Sequence, residues 1–408
     1  MKKKLSVLLA MSVICVAVLA GCGKSEGPKT INDTKKEETK GSGKLAEKQE
    51  MTFILNNEPD TIDPNVTSNS FAVPFLVNCF EGLVTYNEEG EIEPGNAEEW
   101  KANDDLTVWT FQLRDGLKWS DGSALTAKDY VYSALRVLTP ETTGQYVNMI
   151  SDYVVNAQEY YDGKVSAEEV GIKAVNDTTL EFTLKAPCPY FVDLVSMWVY
   201  FPVQEATIAA NGDKWVTKAE SYVGNGPFKI TEMKTGESMT LEKNENYWGA
   251  DDVTLEKLTY RYILDTSTSL TAYEGGEVDG VRTIPSSDIA RLKAEDTGFK
   301  TAPSYGTVYY NFNCSVAPYD NVLVRKALNL AVDRKEIINN VAQVDGTPAY
   351  SFMAPGYVVD GKDVTEGRSD FDLSETADVE AAKAALAEAG YPNGEGFPVV
   401  KLSYYSDD

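Results

Sequence analysis

The sequence contains no histidine. Without imidazole, Ser-His-Asp and Cys-His nucleophilic systems are excluded, as is every histidine-based metal site. Carboxylates could still catalyse glycoside hydrolysis, but 63 aspartates and glutamates guarantee chance pairs, so a pair in the sequence carries little weight. Neither the G-x-x-x-x-G-K-[ST] loop nor G-x-G-x-x-G occurs, which leaves a nucleotide site without support.

Cysteine is scarce, with five in 408 residues. Beyond the N-terminal segment only Cys79, Cys188 and Cys314 remain. Three widely separated thiols of odd number do not make a disulfide framework. Buried and inert thiols are the favoured interpretation, and one disulfide with one free thiol is the alternative.

Positive charge is also in deficit, because 37 lysines and arginines face 63 acidic residues and the formal net charge is −26. Nucleic-acid binding requires basic patches, so this balance argues against a nucleic-acid partner. It suits a solvated extracellular body, although charge alone does not define a fold.

The only long apolar run lies at the N-terminus, from Leu5 to Ala20, behind the basic residues Lys2, Lys3 and Lys4. The run is shorter than the roughly 20 residues that a membrane-spanning helix requires, so a secretory signal is favoured over a transmembrane anchor. Leu19-Ala20-Gly21-Cys22 resembles a bacterial lipobox. We therefore expect a signal peptide at 1–21 and lipidation of Cys22, since more than one acyl chain is needed for stable anchoring.

Residues 22–50 comprise the lipidated cysteine and a segment rich in Lys, Glu, Gly, Ser and Thr. Such a segment buries too little apolar surface to fold and predicts a flexible linker. The folded part is expected to begin at the strand-like run Met51–Leu55. About 358 residues then remain, which is too many for one ordinary core and predicts two or more lobes.

Alternating apolar and polar residues predict several strands, and helical spacing predicts several helices. Predicted strands are Met51–Leu55, Trp109–Arg114, Leu180–Leu184, Phe228–Ile230, Ser238–Glu242, Tyr309–Asn313 and Pro398–Tyr405. One helix is predicted to begin at Thr126, where Asp129 completes a weak capping box. A second is predicted over Asn321–Val341, with an apolar stripe at Val324, Leu328, Ala331 and Val332. A third is predicted over Asp378–Ala389. The mixture predicts an α/β fold. A chain that stops on an uncovered strand is expected to be incomplete.

Several short blocks occur in a characteristic order. They are Glu58-Pro59-Asp60-Thr61-Ile62-Asp63-Pro64, Phe80-Glu81-Gly82-Leu83, Val108–Arg114, Lys118-Trp119-Ser120-Asp121-Gly122, Gly224-Asn225-Gly226-Pro227-Phe228, Asn246-Tyr247-Trp248 and Val324-Arg325-Lys326-Ala327-Leu328. Together they resemble the extracytoplasmic solute-binding proteins of family 5, and most closely the oligopeptide-binding proteins of ABC importers. The resemblance covers residues 51–408.

The resemblance implies a two-lobed periplasmic-binding-protein-like fold with an extra inserted domain. Domain I is expected to be split between 51–80 and 206–305, and domain II to occupy 81–205. Domain III is expected to begin at 306 and to be incomplete at 408, and domain I to lack its C-terminal return. The aspartate that holds the peptide amino group in the oligopeptide binders would lie beyond residue 408.

The resemblance also implies a set of ligand-binding residues. They are Ser68, Asn69 and Ser70 in a domain I loop, Tyr146 in domain II, Arg282 and Thr283 in a segment that contacts the peptide backbone, and Tyr309 and Asn311 on a strand near the hinge. The position of Asn311 is acidic in the best-known relatives, so a preference based on charge does not transfer. A loop serine or strand tyrosine more often serves solvation or packing, which is the alternative for each residue.

The function implied is capture of oligopeptides by closure of two lobes, followed by delivery to the permease subunits of an ABC transporter. No enzyme activity, cofactor or metal is expected, and the protein is expected to be a monomer held at the extracytoplasmic face of the cell membrane. Alternatives within the family are nickel chelates, haem, short sugars and signalling peptides. A surface hydrolase acting through carboxylates and a sensor without transport are further alternatives.

Overall fold

The computed structural model describes residues 45–88, 90–295, 299–301, 305–344, 346–359, 362–369 and 373–403. Cys22, the signal peptide and the linker up to residue 44 lie outside the described residues, as do Tyr404 and Tyr405 of the last predicted strand. The chain from Glu47 onward forms one unit, and the description below concerns that unit.

Strands and helices alternate along the chain, as expected for the α/β class. The strands are β1 (Glu50–Leu55), β2 (Val84–Tyr86), β3 (Ile92–Pro94), β4 (Ala97–Ala102), β5 (Val108–Leu113), β6 (Ile172–Asn176), β7 (Thr179–Thr183), β8 (Phe228–Lys234), β9 (Ser238–Lys243), β10 (Lys257–Tyr262), β11 (Gly280–Val281), β12 (Val358–Val359) and β13 (Lys362–Asp363). The helices are α1 (Val73–Cys79), α2 (Ala127–Val137), α3 (Asn148–Ser151), α4 (Ala157–Tyr161), α5 (Phe191–Val195), α6 (Glu205–Asn211), α7 (Thr266–Glu274), α8 (Ile289–Ala294), α9 (Val322–Leu330), α10 (Arg334–Glu336) and α11 (Val379–Glu388).

A five-stranded sheet joins the start of the folded chain to strands that occur much later. Its order is β11-β1-β10-β9-β8, with β1 parallel to both β10 and β11. β9 runs antiparallel to β8 and β10. Leu258, Tyr260 and Tyr262 of β10 are buried while the residues between them are half-buried. This alternation places one face of the sheet against the core.

A four-stranded antiparallel sheet, in the order β4-β5-β7-β6, is formed by residues that lie between β1 and β10 in the chain. The predicted alternation of β5 is confirmed, since Trp109, Phe111 and Leu113 are buried. Phe182 of β7 packs edge-on against Phe191 of α5, with ring centroids 5.2 Å apart. Aromatic packing of this kind builds the core beneath the sheet.

Helix α2 begins where the capping pattern predicts. The Asp129 carboxylate accepts hydrogen bonds from the backbone N–H of Thr126 at 2.7 Å and from its hydroxyl at 3.1 Å. These bonds fix the first turn. The inward face of the helix then buries Tyr130, Ala134 and Val137.

The segment from residue 305 onward departs from the prediction in two places. Tyr309–Asn313 was predicted to be a strand, and this is wrong, because no strand of the described residues pairs with it and Val308 beside it is 99% exposed. Pro398–Ser403 likewise forms no strand in the described chain. Alternation alone does not make a strand, since the backbone groups need a partner.

The helix predicted over 321–341 is interrupted. α9 ends at Leu330, and Asp333 caps a new start by accepting a hydrogen bond from the N–H of Glu336 at 2.8 Å. A π-helical turn, Ile337–Ala342, follows. The predicted stripe is confirmed at Val324, which is buried, but Val332 is 38% exposed because it lies in the interruption. α11 matches its prediction and is followed by Gly390, whose φ of +99° ends the helix.

The three cysteines of the folded part are free thiols, so no disulfide joins them. Cys79 and Cys188 are buried, as the favoured interpretation predicted, whereas Cys314 is exposed. Burial raises the pKa of the Cys79 thiol well above its ordinary value, which keeps it protonated and inert. Among the helices of the described residues, none is long and apolar enough to cross a membrane.

Candidate functional site

The loop between β1 and α1, residues 56–72, carries the first three candidate residues and is held by a buried ion pair. Arg136 of α2 donates to Asp63 Oδ1 at 2.9 Å and to Oδ2 at 2.7 Å. The two side chains are 10% and 4% exposed. The indole N–H of Trp215 donates to the same carboxylate at 3.0 Å. Such bidentate pairing fixes orientation as well as charge.

Asn65 extends this anchor along the loop. Its side-chain oxygen accepts from Arg136 at 2.8 Å, and its amide nitrogen donates to the Ser133 hydroxyl at 3.0 Å. The hydroxyl of Ser133 in turn donates to the Phe201 carbonyl at 2.6 Å. These linked hydrogen bonds tie the base of the loop to α2 and to the Phe201 backbone.

The predicted residues Ser68, Asn69 and Ser70 lie at the outer turn of this loop. Ser68 and Ser70 are exposed, and no side-chain hydrogen bond of either serine is found among the described residues. Asn69 points back into the loop, where it donates to Asp60 at 3.1 Å and accepts from the N–H of Phe71 at 2.8 Å. The serines are therefore available to a ligand, while Asn69 mainly shapes the turn.

Arg282 follows β11 and closes the loop from the other side. It donates to the Ser70 carbonyl at 2.9 Å, and its guanidinium lies 4.4 Å from the centre of the Phe71 ring. Burial lowers the pKa of Arg282 below its ordinary value. The N–H of Thr283 donates to the Asn56 side chain at 3.1 Å. The structure thus brings Arg282 and Thr283 to the same loop as Ser68–Ser70.

Tyr146 approaches from the segment that follows α2. Its ring meets the Trp198 ring edge to face, with centroids 5.8 Å apart and planes at 75°. The indole N–H of Trp198 donates to the Thr67 carbonyl at 3.2 Å. Tyr146 is therefore linked through Trp198 to the residue that precedes Ser68.

Tyr309 and Asn311 lie in the irregular segment described above, and no hydrogen bond or ring contact among the described residues joins them to Ser68–Ser70, Arg282 or Tyr146. Tyr309 is 52% exposed, and its ring packs on Phe352 at 4.7 Å between centroids. Asn311 is exposed. The candidate residues thus form two groups, one around the 56–72 loop and one around Tyr309.

A second polar cluster joins four of the blocks that carry the family resemblance. The Glu81 carboxylate accepts from the Tyr247 hydroxyl at 2.5 Å and from the Trp248 indole at 2.6 Å. The Asn225 side chain donates to the Glu81 carbonyl at 3.0 Å and accepts from its N–H at 3.2 Å. Arg114 covers the exposed face of Trp248, with 3.7 Å from guanidinium carbon to ring centre. These contacts tie the four blocks together in the fold.

Burial raises the pKa of the Glu81 carboxyl above the ordinary glutamate value, and the hydrogen bonds from Tyr247 and Trp248 oppose that rise. Within the residues that the structure describes, no three carboxylate, thiol or imidazole groups are clustered so that they could hold a metal ion. Around the outer turn of the 56–72 loop are the hydroxyls of Ser68 and Ser70, the Arg282 guanidinium and aromatic rings, while the Asp60 and Asp63 carboxylates are engaged by Asn69 and Arg136. The hydroxyls, the guanidinium and the rings can hydrogen-bond and pack against a neutral polar chain.

Sequence reasoning missed Asp63, Arg136 and Trp198 as parts of this site. Asp63 stands in the first block of the resemblance, next to Pro64, and that position was its only signal. Arg136 and Trp198 lie far from Asp63 in the chain, so the pairing becomes visible only in the fold.

Comparison with known proteins identifies the family. The family model described as bacterial extracellular solute-binding proteins, family 5 (middle), matches residues 91–408. The oligopeptide-binding protein OppA of Bacillus subtilis is 35% identical over all of this chain and 73% of its own length. OppA of Haemophilus influenzae, solved in complex with RPPGFSPFR, is 34% identical with a TM-score of 0.73, over 85% of this chain and 68% of that one.

A third relative gives the same result. The murein tripeptide binding protein MppA of Escherichia coli superposes with a TM-score of 0.75 at 34% identity, over 85% of this chain and 67% of that one. The predicted periplasmic-binding-protein-like fold is confirmed by these structures. The chain belongs to the bacterial extracellular solute-binding proteins of family 5.

Proposed function

We propose that this protein is a lipid-anchored extracytoplasmic receptor that captures oligopeptides and delivers them to the permease of an ABC importer. The observation that carries the proposal is its likeness, over 85% of the chain, to a protein solved with the peptide RPPGFSPFR. Peptides of varied sequence share one backbone, so recognition falls on main-chain hydrogen bonds while wet pockets accept the side chains.

The groups around the 56–72 loop support this assignment. Ser68 and Ser70 present free hydroxyls, which can donate to and accept from a peptide main chain. Arg282 lies beside them, with donors beyond those engaged by Ser70. Tyr146 offers an aromatic face at the same loop. Tyr309 and Asn311 are proposed to meet the ligand from the opposite lobe when the lobes close.

The domain arrangement is part of the same proposal. Residues 51–80 and 206–305 form domain I, 81–205 form domain II, and 306–408 form the first part of domain III. The pairing of β1 with β10, on either side of the four-stranded sheet, is what a split domain I with an insertion requires. Closure of domain III over the 56–72 loop would enclose the peptide.

Lipid anchoring through Cys22 rests on the N-terminal sequence. A basic start, an apolar run too short to span a bilayer, and Leu19-Ala20-Gly21-Cys22 together support export followed by acylation. Binding and release involve no change in covalent bonds, so the proposed role is not that of an enzyme. A monomer suffices, because both lobes belong to one chain.

Native mass spectrometry of the protein released from its own membranes tests both parts. We expect a mass that includes acyl chains on the N-terminal cysteine, together with small adducts that fragment as peptides. A protein without acyl chains would refute the anchor alone. Adducts that fragment as sugars, haem or metal chelates would refute peptide capture and assign another solute of the family.

A further inference from the structure

Two segments that each carry a candidate ligand group are in direct backbone contact. The N–H of Gln145 donates to the Val66 carbonyl at 3.3 Å. A Cβ at Gly144 would lie 2.7 Å from the Asn65 carbonyl oxygen, so only glycine permits this approach. The segment that presents Tyr146 therefore rests on the inner half of the 56–72 loop.

Thr67 is the last firmly held residue before the exposed turn. It is 2% exposed, its N–H donates to the Asp63 carbonyl at 3.0 Å, and its hydroxyl accepts from the N–H of Asn69 at 3.0 Å. Its carbonyl accepts from the Trp198 indole at 3.2 Å. Ser68 and Ser70 have no comparable anchor of their own side chains in the described structure. The turn is held at its start by Thr67, and at its end by Arg282, which donates to the Ser70 carbonyl.

Trp198 touches both candidate groups at once, with its N–H on the Thr67 carbonyl and its ring on Tyr146. We propose that Trp198 is a positioning residue of the peptide site, which fixes the Ser68–Ser70 turn relative to Tyr146. The inference rests on the proposed function and adds to it a residue that acts through the turn and Tyr146. Without the indole N–H, the Thr67 carbonyl loses this hydrogen bond. The turn is then ordered only when the ligand binds, and the cost of ordering it weakens the affinity.

The substitution Trp198→Phe separates the two contacts, because phenylalanine keeps a ring for Tyr146 and removes only the donor. A matched control is Trp109→Phe. Trp109 is 7% exposed, and its indole nitrogen has no hydrogen-bond partner among the described residues, while its ring packs on Phe191. Both variants lose one indole N–H and some packing, but only Trp198 touches the candidate site.

Peptide affinity is the readout that a purely structural role would not change. The peptide is chosen first, as the one that the wild-type protein retains best from a mixture of short peptides that includes RPPGFSPFR. Its Kd is then measured by calorimetric titration for the wild type, both tryptophan variants and Ser68→Ala, at a temperature well below their unfolding midpoints. We expect Trp198→Phe to raise Kd about three- to tenfold, the worth of one hydrogen bond. Trp109→Phe is expected to keep the wild-type Kd.

The double variant Ser68→Ala with Trp198→Phe completes the test. If Trp198 acts through the turn, the Kd of the double variant is only slightly higher than that of whichever single variant binds the peptide less tightly. An unchanged Kd in Trp198→Phe, with a weakened one in Ser68→Ala, would overturn the positioning role and leave the peptide site in place. Fully additive losses would also overturn it. Absence of peptide binding by the wild type would overturn the proposed function and this inference together.

Discussion

At the scale of single residues, the strongest constraint on the site is the ion pair between Asp63 and Arg136. Both side chains are nearly excluded from solvent and share bidentate hydrogen bonds. Removing one member leaves the other as an uncompensated buried charge, which costs far more than the pair contributes. The exposed pair between Lys128 and Asp177, whose side chains are 74% and 69% exposed, offers a contrast on the same helix.

Arg136→Met is therefore expected to lower the free energy of unfolding by about 3–5 kcal/mol. Lys128→Met is the matched control, and it should leave stability close to that of the wild type because solvent screens its partner. Urea unfolding followed by circular dichroism measures both. Equal effects of the two substitutions would show that the Asp63–Arg136 pair is not an anchor.

Glu81 predicts a pH dependence. Burial raises the pKa of its carboxyl in the folded state, so the folded protein binds more protons than the unfolded chain between the ordinary and the raised value. Stability from this group is therefore present at low pH and falls as pH rises through that window. The glutamine in Glu81→Gln cannot titrate. The unfolding free energy of this variant should therefore rise relative to that of the wild type as pH increases.

Thermal and urea unfolding of Glu81→Gln and the wild type between mildly acidic and neutral pH provide the comparison. Glu91→Gln removes a charge from an exposed side chain and serves as the control. A constant difference between Glu81→Gln and the wild type across the whole pH range would contradict the raised pKa.

Single residues were also where the sequence was least informative about the site. Ser68 and Ser70 could be named because the resemblance placed them on a loop, and the structure leaves their hydroxyls exposed. Trp198 could not be named, because its contact with Thr67 joins positions far apart in the chain. A long-range hydrogen bond leaves no periodic signal in sequence.

At the scale of elements, the turn Gly224–Gly226 makes close backbone contact with the end of α1. A Cβ at Gly224 would lie 1.9 Å from the Cys79 carbonyl oxygen, and one at Gly226 would lie 2.6 Å from the N of Phe80. The end of α1 and the start of β8 can therefore meet only through glycine. The fit also sets the position of Glu81 next to Asn225.

Gly224→Ala is expected to destabilise the protein by about 3 kcal/mol, the upper end of the usual cost of overpacking, since a backbone oxygen cannot move aside as a side chain can. Gly275→Ala is the control. Gly275 ends α7 with a φ of −76°, and its Cβ would meet the Thr271 carbonyl at 3.2 Å. Differential scanning calorimetry should show a large drop in midpoint for Gly224→Ala alone. Comparable midpoints for the two variants would refute the close approach.

Elements with a partner at hand could be predicted from periodicity, and those without one could not. The predicted alternation in β5 and β7 is correct, and each of these strands has neighbours on both sides. Tyr309–Asn313 alternates as well, but no described strand lies beside it. The helix predicted over 321–341 breaks at Asp333 because that carboxylate caps a new turn. The local pattern of apolar residues shows neither whether a partner strand is present nor whether a side chain caps a new helix start.

At the scale of the whole molecule, the order of the sequence blocks predicted the family, and the comparisons confirm it. Several of these blocks contact one another in the structure, as the Glu81 cluster illustrates. Ligand identity is less accessible from this sequence, which spans 73% of the Bacillus subtilis relative. The central claim is that this protein binds peptides through their main chain.

The most direct test is a calorimetric titration with peptides matched in side chains but not in backbone. For the peptide that the purified protein binds best, a version with methylated backbone nitrogens is compared with the parent and with a variant of unrelated side chains. The account predicts that methylation raises Kd about tenfold or more, whereas the change of side chains has a smaller effect. The reverse order, with binding that tolerates methylation and follows the side chains, would contradict it.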